Sequence, residues 1–497
     1  MRGLLRALAV AAVGTGLVAG ATQLPGRIDV SAPTVDGVLA PARPVALTRG
    51  SAVCPGPQDL GVTGLPAATT ARPRVDLLAA APPAAALPAG TATAGVGTLA
   101  FGALPGRGAL GSALSAGDHD RGSVLTAYVA SPRSAVLDAT GTLAPGVVAL
   151  QRSLVNSGDG RGLVTTACGP AAGESWLLGG GAQPGRRERV VLTNPGPNPV
   201  TVDLSVLGTR GPVPSPNGRG VVVAPYGRTV VLLDAIAGQE ASPVLHVVAT
   251  GGEVAAVLDD TWLDGVIPRG GDDATPAAAP AREQVIPAFR VGGPATVRVA
   301  VPGADEAVVQ TRVLTPTGPR PIPRDAVVRV AGQSSRDIDV SALPAGAYAV
   351  QVRADVPVVA AAMTERRRKA SGPSDLAWAT STPAIGQLAG SVLRNQGTKG
   401  ISASLDLAAT GGPGSAVVTV VDTNGRVTTR TVAVPADAVA AVPLAGATSV
   451  WVHPAAGTVR AGVTSWKTDP LGVMISSTPL LDQPLTELPM QVREQQD

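Results

Sequence analysis

Along most of this chain the apolar positions recur at every second residue rather than at helical spacing. Val200-Thr201-Val202-Asp203-Leu204-Ser205-Val206-Leu207 alternates with period two, the signature of a strand with one buried face. Residues 296–301 and 417–421 follow the same rule less cleanly. A shorter apolar-rich run at 122–129 also predicts a strand. Val421-Asp422-Thr423-Asn424-Gly425-Arg426-Val427 predicts a hairpin, because Asn-Gly accepts the positive φ angles of a tight turn. Pro225, Pro302 and Pro435 stand at the ends of such runs, where a missing N–H does least harm.

These runs form an internal repeat. Trp176 to Trp262 and Trp378 to Trp466 span nearly the same length, and each closes on a Gly-x-Val strand followed by Trp. A middle copy runs from about Ile286 to Glu365 without the closing Trp. The period far exceeds the ~40–50 residues of a propeller blade, so each copy reads as a small β-domain. The predicted fold is all-β: tandem immunoglobulin-like β-sandwich modules after an N-terminal segment, with a propeller-like closed array as the alternative. The predicted divisions are 1–21 (signal peptide or membrane anchor), 22–48 (Pro-containing linker) and 49–175 (β-rich region with both cysteines). Sandwich modules follow at 176–270, 284–370 and 376–485, and a tail at 486–497. The modules are expected to stand in a row as rigid spacers, with Trp262 and Trp466 as core anchors.

Composition narrows the class. The 497 residues include 61 Gly and 46 Pro but only five Trp, three Tyr and two Phe. A hydrophobic fraction of 45% with 15% charged residues excludes a disordered chain. Beyond the N-terminus no apolar run reaches transmembrane length, which argues against a polytopic membrane protein. Three residues are Lys, so nearly all of the 39 basic residues are Arg, which reads as the codon bias of a GC-rich genome. The net charge is only +3, and the one dense basic cluster is Arg366, Arg367, Arg368 and Lys369 after Glu365. It reads as a solvated loop, with contact to an anionic polymer as the alternative, and no nucleic-acid partner is indicated.

The address is written at the N-terminus. Met1-Arg2-Gly3-Leu4-Leu5-Arg6 is a short basic start, followed by fifteen mostly apolar residues to Ala21. Ala19-Gly20-Ala21 offers a signal-peptidase pattern with cleavage after Ala21, or the segment remains as an anchor. Membrane contact is expected only through this segment. Cys54 and Cys168 are the two cysteines, and an even count in an exported chain predicts one disulfide, with two buried thiols as the alternative.

Trp176-Leu177-Leu178-Gly179-Gly180-Gly181, followed by Val190-Val191-Leu192-Thr193-Asn194-Pro195, resembles the W-x-x-x-G … L-x-N-P openings of an uncharacterised exported-protein family of actinobacteria. The segment from Ser335 to Tyr348 with the strand up to Ala362 is similar to its R-x-x-x-V-x-x-L-P-x-G-x-Y … V-x-A-A element. The resemblance implies secretion or membrane anchoring and brings no activity or catalytic residues.

Candidate chemistry is sparse. Ser115 and His119, in Ala113-Leu114-Ser115-Ala116-Gly117-Asp118-His119-Asp120, form the sharpest nucleophile–base pair, but Ala113 replaces the first Gly of a hydrolase elbow. Asp259-Asp260 would point to opposite faces of a strand, whereas Asp272-Asp273 reads as a loop able to hold calcium weakly. Gly179-Gly180-Gly181 lacks the Lys-Ser/Thr ending of a phosphate loop. Two Cys and three scattered His (His119, His246, His453) have no zinc spacing, so no metal or other cofactor is expected. Trp451 and His453 share one strand face and make the best glycan platform. The expected function is therefore that of an exported, non-enzymatic cell-envelope scaffold or interaction module with an envelope protein as partner. The alternatives are an accessory protein that binds or assembles wall polysaccharide and, last, a serine hydrolase.

Overall fold

The computed structural model describes residues 44–58, 74–91, 95–104, 112–369, 371–393 and 400–487. The basic leader, Ala21 and most of the Pro-containing linker lie outside the described residues, as does the tail beyond Glu487.

The fourth sandwich shows the plan most plainly. Its eight strands are Ala389–Val392, Ser402–Ala409, Gly414–Asp422, Val427–Val434, Ala438–Pro443, Ala447–Ala456, Val459–Asp469 and Gly472–Leu480. All pairs are antiparallel; strands one, six, three and four form one sheet, and five, two, seven and eight form the other. Leu405, Leu407, Val418, Val450, Val452, Ala461 and Val463 fill the space between the sheets, as period-two alternation requires.

The same order recurs three more times. The second sandwich runs from Glu174–Leu178 to Ile267–Ala274, with its fourth strand split into Gly211–Val213 and Val221–Val223. The third runs from Ala281–Val291 to Ser374–Thr380, and its sixth and seventh strands are fused into Gly346–Arg367, which pairs into both sheets. The N-terminal β-rich region is itself a complete copy, from Arg49–Cys54 to Gly162–Ala167. Its Ala-rich stretch supplies the buried strand Val75–Ala80 and a short 3-10 turn at Ala84–Ala86. Ser374–Thr380, placed by its Trp at the start of the last module, instead completes the third sandwich by pairing with Gly346–Arg367.

The sandwiches do not stand in a row. The eighth strands, Gly162–Ala167, Ile267–Ala274, Ser374–Thr380 and Gly472–Leu480, pack against one another in a closed cycle. An apolar seam covers each neighbouring pair: Val53, Leu104 and Val136 against Tyr226 and Ala255; Ala300, Val359 and Trp378 against the second core; Val285, Leu314 and Ala349 against Ala408 and Val439. The fourth seam packs Leu78, Ala80, Val148 and Leu150 against Leu388, Val392, Val421 and Trp451. Val45–Ala46 pairs with Thr486–Glu487, so the cycle closes at the two ends of the described chain.

Cys54 and Cys168 form a disulfide, with Cα atoms 4.4 Å apart, between the first strand and the exit of the first sandwich. It closes a loop across 114 positions, worth about 4–5 kcal/mol in the chain-entropy account. Reduction should therefore lower the melting temperature by several degrees in differential scanning calorimetry. An unchanged transition would show that the bridge does not brace the first sandwich.

Candidate functional site: the carboxylate hub between the sandwiches

Hydrogen bonds tie the four eighth strands together, and three aspartates accept many of them. Asp375 lies wholly buried in Ser374–Thr380. Its Oδ2 accepts the Leu163 and Ile475 N–H groups at 3.0 and 2.9 Å, and its Oδ1 accepts those of Gly271 and Leu376 at 3.3 and 3.1 Å. One carboxyl group thus takes a backbone donor from each sandwich. Asp272 accepts the Trp378 N–H at 2.9 Å and the Ser476 hydroxyl at 2.8 Å, and Asp273 accepts the Thr166 hydroxyl. The Ser476 hydroxyl also accepts the Thr165 N–H at 2.9 Å, while the Thr165 and Thr478 hydroxyls meet at 2.8 Å.

Local sequence explains the close approach. Gly270 has φ +95°, and a Cβ there would sit 2.0 Å from Asp375 Oδ1. A Cβ on Gly162 would lie 2.9 Å from the same oxygen. Gly270-Gly271-Asp272-Asp273 is therefore not a loop: the glycines admit Asp375, and both aspartates lie in the strand Ile267–Ala274.

Asp259 and Asp260 stand on the adjoining strand opposite Asp273 and Asp272. They face different partners, as strand alternation requires. Arg189 Nη1 reaches Asp259 at 3.3 Å, whereas Arg186 grips Asp260 with Nε at 2.8 Å and a second bond from Nη2. Trp378 Nε1 donates to Asp260 at 2.7 Å across the seam between the second and third sandwiches.

Burial pushes the hub carboxyls upward. Asp375 and Asp259 rise to about 8 and Asp273 to about 6, each chiefly through desolvation, and Asp272 rises well above its ordinary value for the same reason. Outside the hub, burial lifts Glu188 and Asp406 to about 7.

Arginine completes the seams. Arg298 donates to the Gly179, Gly180 and Pro243 carbonyls at 2.8, 3.1 and 3.1 Å. Arg228 reaches the Pro55 and Pro57 carbonyls and Gln58 of the first sandwich. Arg161, almost fully buried, bonds Asp469 at 2.8 Å and the Ser374 carbonyl at 3.4 Å. Five donors on a rigid plane suit this task better than an ammonium group.

The residues singled out from sequence are scattered. Trp451 does share a face with His453, but that face is closed: Trp451 is 0% exposed in the seam between the first and fourth sandwiches and presents nothing to a glycan. His453 is half-buried, with Nδ1 2.6 Å from the Gln387 carbonyl. Glu365, Arg366 and Arg367 belong to a strand rather than a solvated loop. Arg366 donates to the Val291 carbonyl at 2.9 Å, Arg367 to Glu365 at 2.5 Å and Arg368 to the Pro470 carbonyl at 2.9 Å. Trp262 and Trp466 occupy equivalent seventh strands and are half-buried beneath arginines; Trp262 packs against the second core from its margin, whereas Trp466 lies under Arg290. Ser115 lies in the edge strand Ser112–Asp118, and among the described residues no hydrogen bond joins it to His119, whose ring folds over Gly117. Among the described residues no group of three or more His, Cys, Asp or Glu is placed to hold a metal ion.

Fold and hub together define a class: four eight-stranded antiparallel sandwiches drawn around a common knot of buried carboxylates. The chain belongs to DUF5719, a family of unknown function whose model matches residues 124–445. That match begins at the fifth strand of the first sandwich and ends after the fifth strand of the fourth. It agrees with the family resemblance read from the motifs. No curated protein matches the chain.

Three solved structures align with the chain at low similarity. A tetra-tandem repeat from the extending region of a large adhesion protein is 13% identical over 79% of this chain and 93% of its own, with a TM-score of 0.09. The chemokine-binding protein R17 of rodent gammaherpesvirus Peru is 12% identical over 65% and 89%, with a TM-score of 0.16. A family 32 glycoside hydrolase from Bifidobacterium adolescentis is 11% identical over 88% and 96%, with a TM-score of 0.15. At these scores none bears on fold or function.

Asp375→Asn would turn donor against donor and leave N–H groups unpaired, at roughly 1–3 kcal/mol for each. Urea denaturation should show that loss, whereas Asp355→Asn, an exposed-strand control, should cost less. The raised carboxyls also fix a pH dependence. Their unfolded values lie near ~4, so between there and about 8 the folded chain binds more protons than the unfolded one. Stability should therefore fall as pH rises through that window, and the melting temperature should be higher at pH 5 than at pH 8. Trp451→Ala should cost roughly 3–5 kcal/mol by opening a cavity. Trp451→Phe, which removes an indole N–H that has no acceptor among the described residues, should cost much less in the same melts.

Proposed function

We propose that this chain is an exported, non-enzymatic scaffold or interaction module of the cell envelope. The observation that carries the reading is the saturation of the hub. Asp375, Asp272 and Asp273 are buried and bonded to protein donors, so their chemistry is spent on holding four sandwiches together. The disulfide supports an oxidising, extracytoplasmic setting. Burial of Trp451 weighs against the wall-polysaccharide alternative, which rested on an open aromatic floor, and a hydrolase has no Ser115–His119 hydrogen bond among the described residues to support it. Envelope protein is then the partner class, with membrane contact confined to the N-terminal segment.

The test has three arms on the full chain. Cell fractionation should recover it outside the cytoplasm with Cys54 and Cys168 resistant to alkylation until reduced. Cross-linking in cells should join it to envelope protein, and purified wall polysaccharide should not sediment it. A serine-directed fluorophosphonate should leave it unlabelled. Cytoplasmic recovery with free thiols, or labelling that Ser115→Ala abolishes, would overturn the proposal.

A further inference from the structure

Four equivalent edges border the four sandwiches, and they are not equally protected. Each is formed by a fourth strand that, among the described residues, is hydrogen-bonded on one side. In the second sandwich this edge is cut into Gly211–Val213 and Val221–Val223, with Pro212, Pro214 and Pro216 in or between the pieces. In the third it is cut into Gly318–Pro321 and Val327–Val330, with Pro319, Pro321 and Pro323. In the first, the pairing of Ser112–Asp118 is bulged at Phe101/Gly102. Short pieces, prolines and bulges are the ordinary means of keeping an edge from recruiting another strand.

The fourth sandwich has none of these. Val427–Val434 is eight residues long, contains no proline and pairs with Gly414–Val421 without a register shift. Every side chain from Val427 to Thr431 is exposed. The sequence Val427-Thr428-Thr429-Arg430-Thr431-Val432 is β-branched apart from Arg430, so the extended conformation is intrinsically favoured.

The hairpin fixes which backbone groups are free. The Asp422 N–H donates to the Arg426 carbonyl, and antiparallel pairs alternate thereafter. Thr428, Arg430 and Val432 therefore bond inward to the neighbouring strand, and Val427, Thr429, Thr431 and Ala433 present N–H and C=O to the open side.

Arg430 selects what can bind there. It stands opposite buried Val418, on the core-side face, yet is itself exposed and has no side-chain hydrogen bond or ion pair among the described residues. An added strand would cover it. A neutral strand would desolvate an unpaired cation, and a second copy paired two-fold about Arg430 would set Arg430 against Arg430. A carboxylate on the same face would neutralise it. Arg426 adds a second cation at the hairpin end, and the strand carries no acid.

We infer that Val427–Val434 is a docking edge for an extended acidic segment of a partner protein, which adds as a fifth strand to this sheet and pairs a carboxylate with Arg430. The inference rests on the scaffold reading and names the chemistry of its partner.

The probe is an eight-residue fluorescent peptide of alternating threonine and valine with one central glutamate, titrated against the full chain and followed by anisotropy. A matched peptide with lysine in the central place is the comparison. The glutamate peptide should bind at least tenfold more tightly. Arg430→Glu should reverse that preference, and Thr431→Pro, which deletes an outward N–H, should abolish binding of both peptides. Circular dichroism melts of the two variants should match the parent, and Arg430→Lys should retain the acidic preference if either variant is misfolded. Equal binding of the two peptides, or binding unaffected by Thr431→Pro, would overturn the inference. Concentration-dependent dimerisation lost in Thr431→Pro would also overturn it by making a second copy the occupant. Failure of the peptides alongside successful cross-linking to envelope protein would sink this edge and leave the scaffold reading standing.

Discussion

A single buried carboxyl group organises the molecule. Asp375 accepts one backbone N–H from each of the four sandwiches, and the geometry holds only because the third sandwich delivers it to the place where the other three eighth strands meet. Backbone donors are an exacting choice of partner. They cannot swing away as a side chain can, so each bond fixes the position of a whole strand. Desolvation of the carboxyl opposes folding, and the four backbone donors offset part of that cost. The apolar seams supply the bulk of the cohesion, and the hub dictates how the sandwiches are oriented when those seams form.

That division of labour accounts for what could be read from residues alone. Strand periodicity comes from burial of one face, a local property, and so Val200–Gly208 and the Asn-Gly hairpin were legible. So was the disulfide. The arrangement of modules was not, because it depends on contacts between segments hundreds of residues apart, such as Thr165 with Ser476. Gly270-Gly271-Asp272-Asp273 has the composition of a loop, and nothing local reveals that its glycines make room for Asp375.

The tryptophans and arginines teach the same lesson from the other side. Alternation correctly placed Trp451 and His453 on one face, but it cannot say that a neighbouring sandwich covers that face. Trp378 resembled the opening Trp176 because fusion of two strands into Gly346–Arg367 erased the spacing that marks a module boundary. An arginine-rich composition looked like genome bias, yet Arg228 and Arg298 cross two different seams and satisfy carbonyls there, and Arg161 reaches a carbonyl of the third sandwich and a carboxylate of the fourth. A compositional bias can be neutral in origin and still be put to structural use.

The pairing of Val45–Ala46 with Thr486–Glu487 has a mechanical meaning. Tension applied between these two points would act on adjacent strands of a two-residue ladder, whose few hydrogen bonds would break in succession. The sandwiches themselves would lie outside the line of force, so traction at this junction would open the clasp long before it sheared any sheet.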